Sequence, residues 1–137
     1  MAYYRIKRAI NNKFPGITTG AQLHNYMKNK FGKLFVGVFA CDTIPSLGRH
    51  QSCIINTSAS NQDGEHWVAL LRNSKGTYYF FDSFGRSPQT ILPTLKYPVR
   101  YDTSDREQRL EDSDCGAHCC AWITYYYIFG CRRLLSI

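Results

Sequence analysis

The chemistry this sequence can carry is concentrated where a polar, turn-forming run meets an apolar one. Asp112-Ser113-Asp114-Cys115-Gly116-Ala117-His118-Cys119-Cys120 leads into Ala121-Trp122-Ile123-Thr124-Tyr125-Tyr126-Tyr127-Ile128-Phe129. The pattern predicts a loop entering a buried helix over 116–129, with Cys115 at its first turn. There the unsatisfied backbone N–H groups and the positive end of the helix dipole favour a thiolate, the form of cysteine that attacks carbonyls. Asp112 and Asp114 act against it, so a cationic partner is required, and an imidazolium suits the role. Three upstream stretches supply the remaining parts: His66 in Gly64-Glu65-His66-Trp67, Asp82 in Phe80-Phe81-Asp82-Ser83-Phe84-Gly85, and Gln108 before the cysteine.

Taken singly, each residue has an ordinary meaning: a small buried hydrophobe at Cys115, a strand-end histidine, a turn carboxylate, a surface amide. In the order His, Asp, Gln, Cys they make a set. Cys115 is the nucleophile and His66 its ion-pair partner and proton donor. Asp82 fixes the imidazole tautomer, and the Gln108 amide joins the Cys115 backbone N–H at a developing oxyanion. Trp67, directly after the histidine, is expected to wall a narrow active-site cleft. Cys119, one turn beyond Cys115, is expected near the nucleophile, and Cys120 in the core. A zinc site from His118, Cys119, Cys120 and His50 or Cys53 lacks the paired-ligand spacing of structural zinc modules. His24, His50 and His118 read as non-catalytic; His118 is expected to face away from Cys115, with a place near the cleft rim still open to it.

With Asp-Cys-Gly-x-x-Cys-Cys and this residue order, the chain resembles the adenovirus-type processing proteases, cysteine endopeptidases of DNA viruses and virus-like transposons. The likeness runs from about Gln22 to Phe129 and includes Phe35-Val36-Gly37-Val38-Phe39 and Cys53-Ile54-Ile55-Asn56-Thr57. It implies an α+β fold in a circularly permuted papain-like arrangement. It also implies cleavage of viral precursor proteins at Gly-containing sites during particle maturation, in the virion and host nucleus, with DNA as an activating partner. No cysteine stands between Cys53 and Cys115, so the family's disulfide-linked peptide cofactor is not expected. Two other readings share features with this one: a protease that deconjugates ubiquitin-like modifiers, which uses the same residue order, and a DNA-associated structural protein retaining the fold without activity.

Those four positions need a scaffold. At 137 residues, 44% hydrophobic and 15% aromatic, the sequence suits one globular domain over 1–137 and is not that of a disordered chain. Two β-rich runs, 67–71 and 77–81, flank Asn73-Ser74-Lys75-Gly76, a turn signal, and an antiparallel pairing brings His66 and Asp82 to the open end. A loop over 72–76 sets the two opposite each other, and a loop one residue shorter sends them to opposite faces. Further elements are a capped helix over 20–31, strands over 35–39 and 52–56, a short helix over 88–95, an extended segment over 97–101 and a helical turn near 106–110. Residues 1–18 have no counterpart in the resemblance and read as an arm or a short added helix, with a turn at Phe14-Pro15-Gly16.

The charge is lopsided. Seven Lys or Arg and no Asp or Glu precede Asp42, after which ten bases balance ten acids. This basic N-terminal segment fits phosphate contact with nucleic acid without sequence readout, or a solvated, solubilising surface. The longest apolar run is nine residues, 121–129, far short of the roughly 20 that span a bilayer. Nothing at the N-terminus resembles a signal peptide, and six unevenly spaced cysteines read as free thiols of an intracellular or particle-borne protein.

Overall fold

The computed structural model describes residues 2–13, 19–58, 66–92, 95, 98–100 and 115–130. Its α+β architecture is a five-stranded mixed sheet with its three long helices on one face. The elements are α1 (Ala2–Lys13), α2 (Gly20–Phe31), a 3-10 turn (Gly32–Leu34), β1 (Phe35–Ala40), β2 (Ser52–Asn56), β3 (Trp67–Arg72), β4 (Tyr78–Phe81), α3 (Pro88–Ile91), β5 (Val99–Arg100) and α4 (Cys115–Phe129). The strands lie in sequence order across the sheet, with β1–β2 and β4–β5 parallel and the central pairings antiparallel.

Alternation along the strands divides the core. Ile54, Ala69, Leu71 and Tyr79 face the helices, while Cys53, Ile55, Val68, Leu70, Tyr78 and Phe80 form a second cluster on the other face with Leu47 and Leu92. A sheet covered on both sides explains why the strands read as nearly continuous apolar runs. In β1 the alternation breaks at Gly37: Phe35 and Val38 both face the helices, Val36 and Phe39 the opposite side. Pairing passes from Phe35↔Ser52 to Gly37↔Cys53, so Val36 is an extra residue in a bulge, and Gly37 takes the φ of +153° that the bulge needs.

Helix α2 follows its sequence signals closely. The Gln22 N–H donates to Thr19 Oγ1 at 3.2 Å and the Thr19 N–H to Gln22 Oε1 at 2.8 Å, a reciprocal cap, and Gly32 closes the helix at φ +57°. Helix α4 is apolar all round and is buried from Gly116 through Tyr126 between β3 and α1. The Gly130 N–H returns to the Tyr126 carbonyl at 2.8 Å, with Gly130 at φ +81°, ending the helix. No helix among the described residues is long and apolar enough to cross a membrane.

Residues 2–13 form a docked helix rather than a loose arm. Tyr3, Ile6 and Ile10 recur at helical spacing on an otherwise basic segment, and that stripe seats α1 on α4. Tyr3 is 1% exposed, its hydroxyl lies 2.8 Å from His118 Nδ1, and its ring meets those of Tyr125 and Phe81. The turn expected at Phe14-Pro15-Gly16 and the helical turn near 106–110 lie outside the described residues, and the helix expected over 88–95 is shorter, Pro88–Ile91, ending where Leu92 leaves the helical conformation and its N–H closes on the Pro88 carbonyl at 2.7 Å.

Truncation of Tyr3 to Ala is expected to cost about 3–5 kcal/mol of folding stability, the range for emptying an aromatic core site. Urea unfolding followed by circular dichroism measures it. A loss below about 1 kcal/mol would show that α1 is not part of the core.

Candidate active site

The hairpin of β3 and β4 fixes the relation between His66 and Asp82. Its pairs are Ala69↔Phe81, Leu70↔Phe80, Leu71↔Tyr79 and Arg72↔Tyr78. The loop is therefore 73–77, one position later than the 72–76 loop expected from the sequence, and each β3 residue pairs two residues further along. The cause is local. Asn73 Oδ1 accepts the N–H groups of Lys75 and Thr77 at 3.0 and 2.8 Å, and the Asn73 N–H reaches the Thr77 carbonyl at 2.9 Å, keeping Thr77 in the turn. Extending the ladder past its last pair sets His66 opposite Phe84 rather than Asp82. A slip of two residues preserves the face on which each side chain lies, so His66 and Asp82 still share one. The Thr57 N–H donates to the His66 carbonyl at 2.9 Å, which ties the histidine backbone to the continuation of β2.

At this end of the sheet His66 Nε2 and Asp82 Oδ1 are 2.5 Å apart, with the Asp82 side chain fully out of water and that of His66 8% exposed. With Nε2 engaged, Nδ1 is the ring nitrogen that remains, and Cys115, at the first turn of α4, lies near enough to act on the imidazole. Burial alone pushes the His66 imidazole toward its neutral form. Hydrogen bonds to Asp82 and Cys115, and their negative charges, outweigh it and hold its pKa above the ordinary 6.5. Burial likewise pushes the Asp82 carboxyl up, but hydrogen bonds from His66 and Arg86 and the charges of both hold it below its usual 3.8.

The turn after β4 completes the surroundings. Asp82 Oδ1 also accepts the Phe84 N–H at 3.2 Å, and Oδ2 accepts the backbone N–H and the Nε–H of Arg86 at 3.1 and 2.8 Å. The Phe84 ring stacks on the imidazole, centroids 4.4 Å apart and 12° from parallel, and the Arg86 guanidinium lies 5.1 Å from the Phe84 centroid. The sequence reading gave neither residue a role. Asp followed by Gly at i+3 and Arg at i+4 was the available signal, since a carboxylate at the head of a turn collects the N–H groups that follow it.

The other expected residues separate. Gln108 lies outside the described residues. Trp67 is half-buried on the helix face, its ring close to Gly20 and Val38 at the start of α2. Among the five described cysteines, all free, Cys53, Cys119 and Cys120 are sealed in the core. Burial pushes the Cys119 thiol well up, with the charge of Cys115 adding to it, and raises Cys120 to about 12. Such thiols are inert. His118 does not reach the cleft rim left open to it: it is 1% exposed, because α1 covers that face of α4. His50 sits at the opposite end of β3, its Nδ1 2.9 Å from the Tyr126 hydroxyl, beside a cavity of about 720 Å³ also lined by Lys75, Tyr79 and Arg100. That cavity is remote from Cys115. His66, Asp82 and Cys115 lie at the other end, where α4 begins.

Comparison with known proteins bears on the same segment. A family model described as Adenovirus endoprotease matches residues 35–120, which contain His66, Asp82, Gln108 and Cys115. Similar relatives include the protease of human adenovirus B serotype 3, 30% identical over 118 residues with 72% of this chain and 53% of that protein covered. Two others are the protease of human adenovirus E serotype 4, 31% identical with 71% and 43% covered, and that of bovine adenovirus B serotype 3, 27% identical with 80% and 60% covered. The chain spans about half the length of these curated relatives.

The shifted pKa values of the pair predict a stability window. Because folding raises the His66 pKa, its contribution is complete below 6.5 and is lost as pH rises through the raised value. Because folding lowers that of Asp82, its contribution is complete above 3.8 and is lost as pH falls through the lowered value. Denaturant midpoints measured from pH 3 to 9 should therefore fall on both sides of this window, and subtracting the Asp82→Asn curve should expose both limbs. Parallel curves for wild type and Asp82→Asn would contradict the coupling.

Proposed function

The chain belongs to the adenovirus endoprotease family, and on that premise we propose that it is a cysteine endopeptidase acting through Cys115, His66 and Asp82, with Gln108 as oxyanion donor. The observation that carries the reading is the buried hydrogen bond from His66 Nε2 to Asp82 Oδ1, made by a ring that also contacts the Cys115 thiol. A hydrolase of peptide bonds needs a nucleophile, a group to take and return its proton, and donors for the oxyanion, and these positions divide the work in that way.

In the proposed reaction His66 holds the Cys115 proton and the sulfur attacks the scissile carbonyl carbon. The oxyanion forms at the first turn of α4, where the backbone N–H groups have no helical acceptor, with the Gln108 amide beside them. Collapse of this adduct expels the amine, protonated by His66, and leaves a thioester. Water, deprotonated by His66, then releases the acid and restores the thiol. Asp82 accepts from Nε2 throughout, which directs Nδ1 at the sulfur and favours the charged ring.

Trp67, half-exposed beside His66, lines the substrate channel in this reading. The substrates are viral precursor proteins with Gly near the scissile bond, cut as the particle matures in the virion and host nucleus. The basic segment before Asp42 contacts DNA through phosphates, with DNA as an activator and no disulfide-linked peptide. In a circularly permuted papain-like arrangement, histidine and acid precede the cysteine in the chain, the order found here.

Purified protein should cleave Gly-containing peptides in a thiol-dependent manner, measured with and without DNA. Cys115→Ala and His66→Ala should each lower kcat/KM by at least about a thousandfold with unchanged circular dichroism, and Gln108→Ala by about a hundredfold. Cleavage confined to fusions of ubiquitin-like modifiers would mark a deconjugase. DNA binding with no cleavage of any substrate would mark a structural protein.

A further inference from the structure

We propose that Arg86 is a positioning residue for the His66–Asp82 pair, acting on the imidazole through the carboxylate on one side and the Phe84 ring on the other. This inference rests on the reading of the site given above. It begins from the Asp82 carboxylate, whose acceptor positions are all taken: Oδ1 by His66 Nε2 and the Phe84 N–H, Oδ2 by the Arg86 N–H and Nε–H. A carboxylate bound only to an imidazole is free to turn about its side-chain bonds and present either oxygen. Here the turn holds it, and Arg86 Nε supplies the shortest of the three bonds from the turn, 2.8 Å, and its one full positive charge.

The second route is steric. Arg86 lies over one side of the Phe84 ring, 5.1 Å from its centroid, and Phe84 stacks on His66. Gly85 makes this layering possible, since its φ of +73° and the Gly85 N–H bond to the Asp82 carbonyl at 2.8 Å reverse the chain so that residue 86 returns to residue 82. The Arg86 side chain itself is 41% exposed, and an ion pair open to water on one side contributes little to folding. Its effect falls on the orientation of the pair, where small displacements cost rate.

Two measurements on the full chain test this. In peptide cleavage, Arg86→Gln should lower kcat about tenfold with KM within about twofold, and Arg86→Lys, which keeps the charge and one donor, should recover to within about threefold of wild type. Lys75→Gln, an equal loss of charge at the far end of the hairpin, should leave kcat unchanged. By proton NMR, the His66 Nε2–H resonance should lie downfield and exchange slowly in wild type and in Lys75→Gln, and should broaden or exchange faster in Arg86→Gln. Wild-type kcat in Arg86→Gln overturns the proposal, and so does a kcat loss with the ring resonance unmoved, which would place Arg86 on the substrate instead. If wild type cleaves no peptide, the peptidase reading fails, and the ring resonance alone decides whether Arg86 holds the pair.

Discussion

A carboxylate withdrawn from water keeps its charge only if hydrogen bonds replace the solvent it has lost, and Asp82 is in that position. One donor comes from across the hairpin and three from its own turn. The rest of the site depends on this satisfied anion. It holds the imidazole by Nε2 and leaves the other ring nitrogen unclaimed by the carboxylate, and its hydrogen bond and charge offset the burial that would otherwise empty the ring of its proton. The same bonds require the hairpin register to keep residues 66 and 82 on one face, so a turn set by Asn73 at the far end constrains the chemistry at the near end.

The scaffold brings the sulfur to that pair by different means. Helix α4 is apolar on every side, so it must be enclosed, and it is: β3 covers one flank and α1 another. Enclosure fixes the helix axis, and with it the position of the first turn beside His66. It also explains the division among neighbouring thiols. Cys119 and Cys120 lie further into the enclosed part and are raised toward the neutral thiol by burial, whereas Cys115 stands at the rim where the helix begins. His118 is covered in the same way, by the N-terminal helix whose Tyr3 meets it.

Much of the fold was legible because its signals are local. Thr19 and Gln22 reproduce their reciprocal cap, Gly32 and Gly130 end their helices, and the strand at 52–56 falls where its apolar run lies. Other features were present in the sequence but ambiguous. Tyr3, Ile6 and Ile10 have helical spacing, yet nothing in a basic segment of 12 residues says whether it docks, since that depends on a partner face over a hundred positions away. Likewise, Asn73-Ser74-Lys75-Gly76 announces a turn without stating which residue closes it, and the pairing came out two residues from the expected one.

The sequence by itself determined which side chains are chemically able to act and in what order they occur, because nucleophile, imidazole and carboxylate are properties of residue type. It also set the helix start at Cys115 and the β-rich runs that flank the turn, because these follow from short-range sterics and periodicity. Tertiary structure decided what needs distant parts of the chain in one place: the face shared by His66 and Asp82, the return of Arg86 over Phe84 to the carboxylate, and the sealing of Cys119, Cys120 and His118. Register, burial and the pKa shifts that follow from them are set by what packs alongside, and no single stretch of residues contains that information.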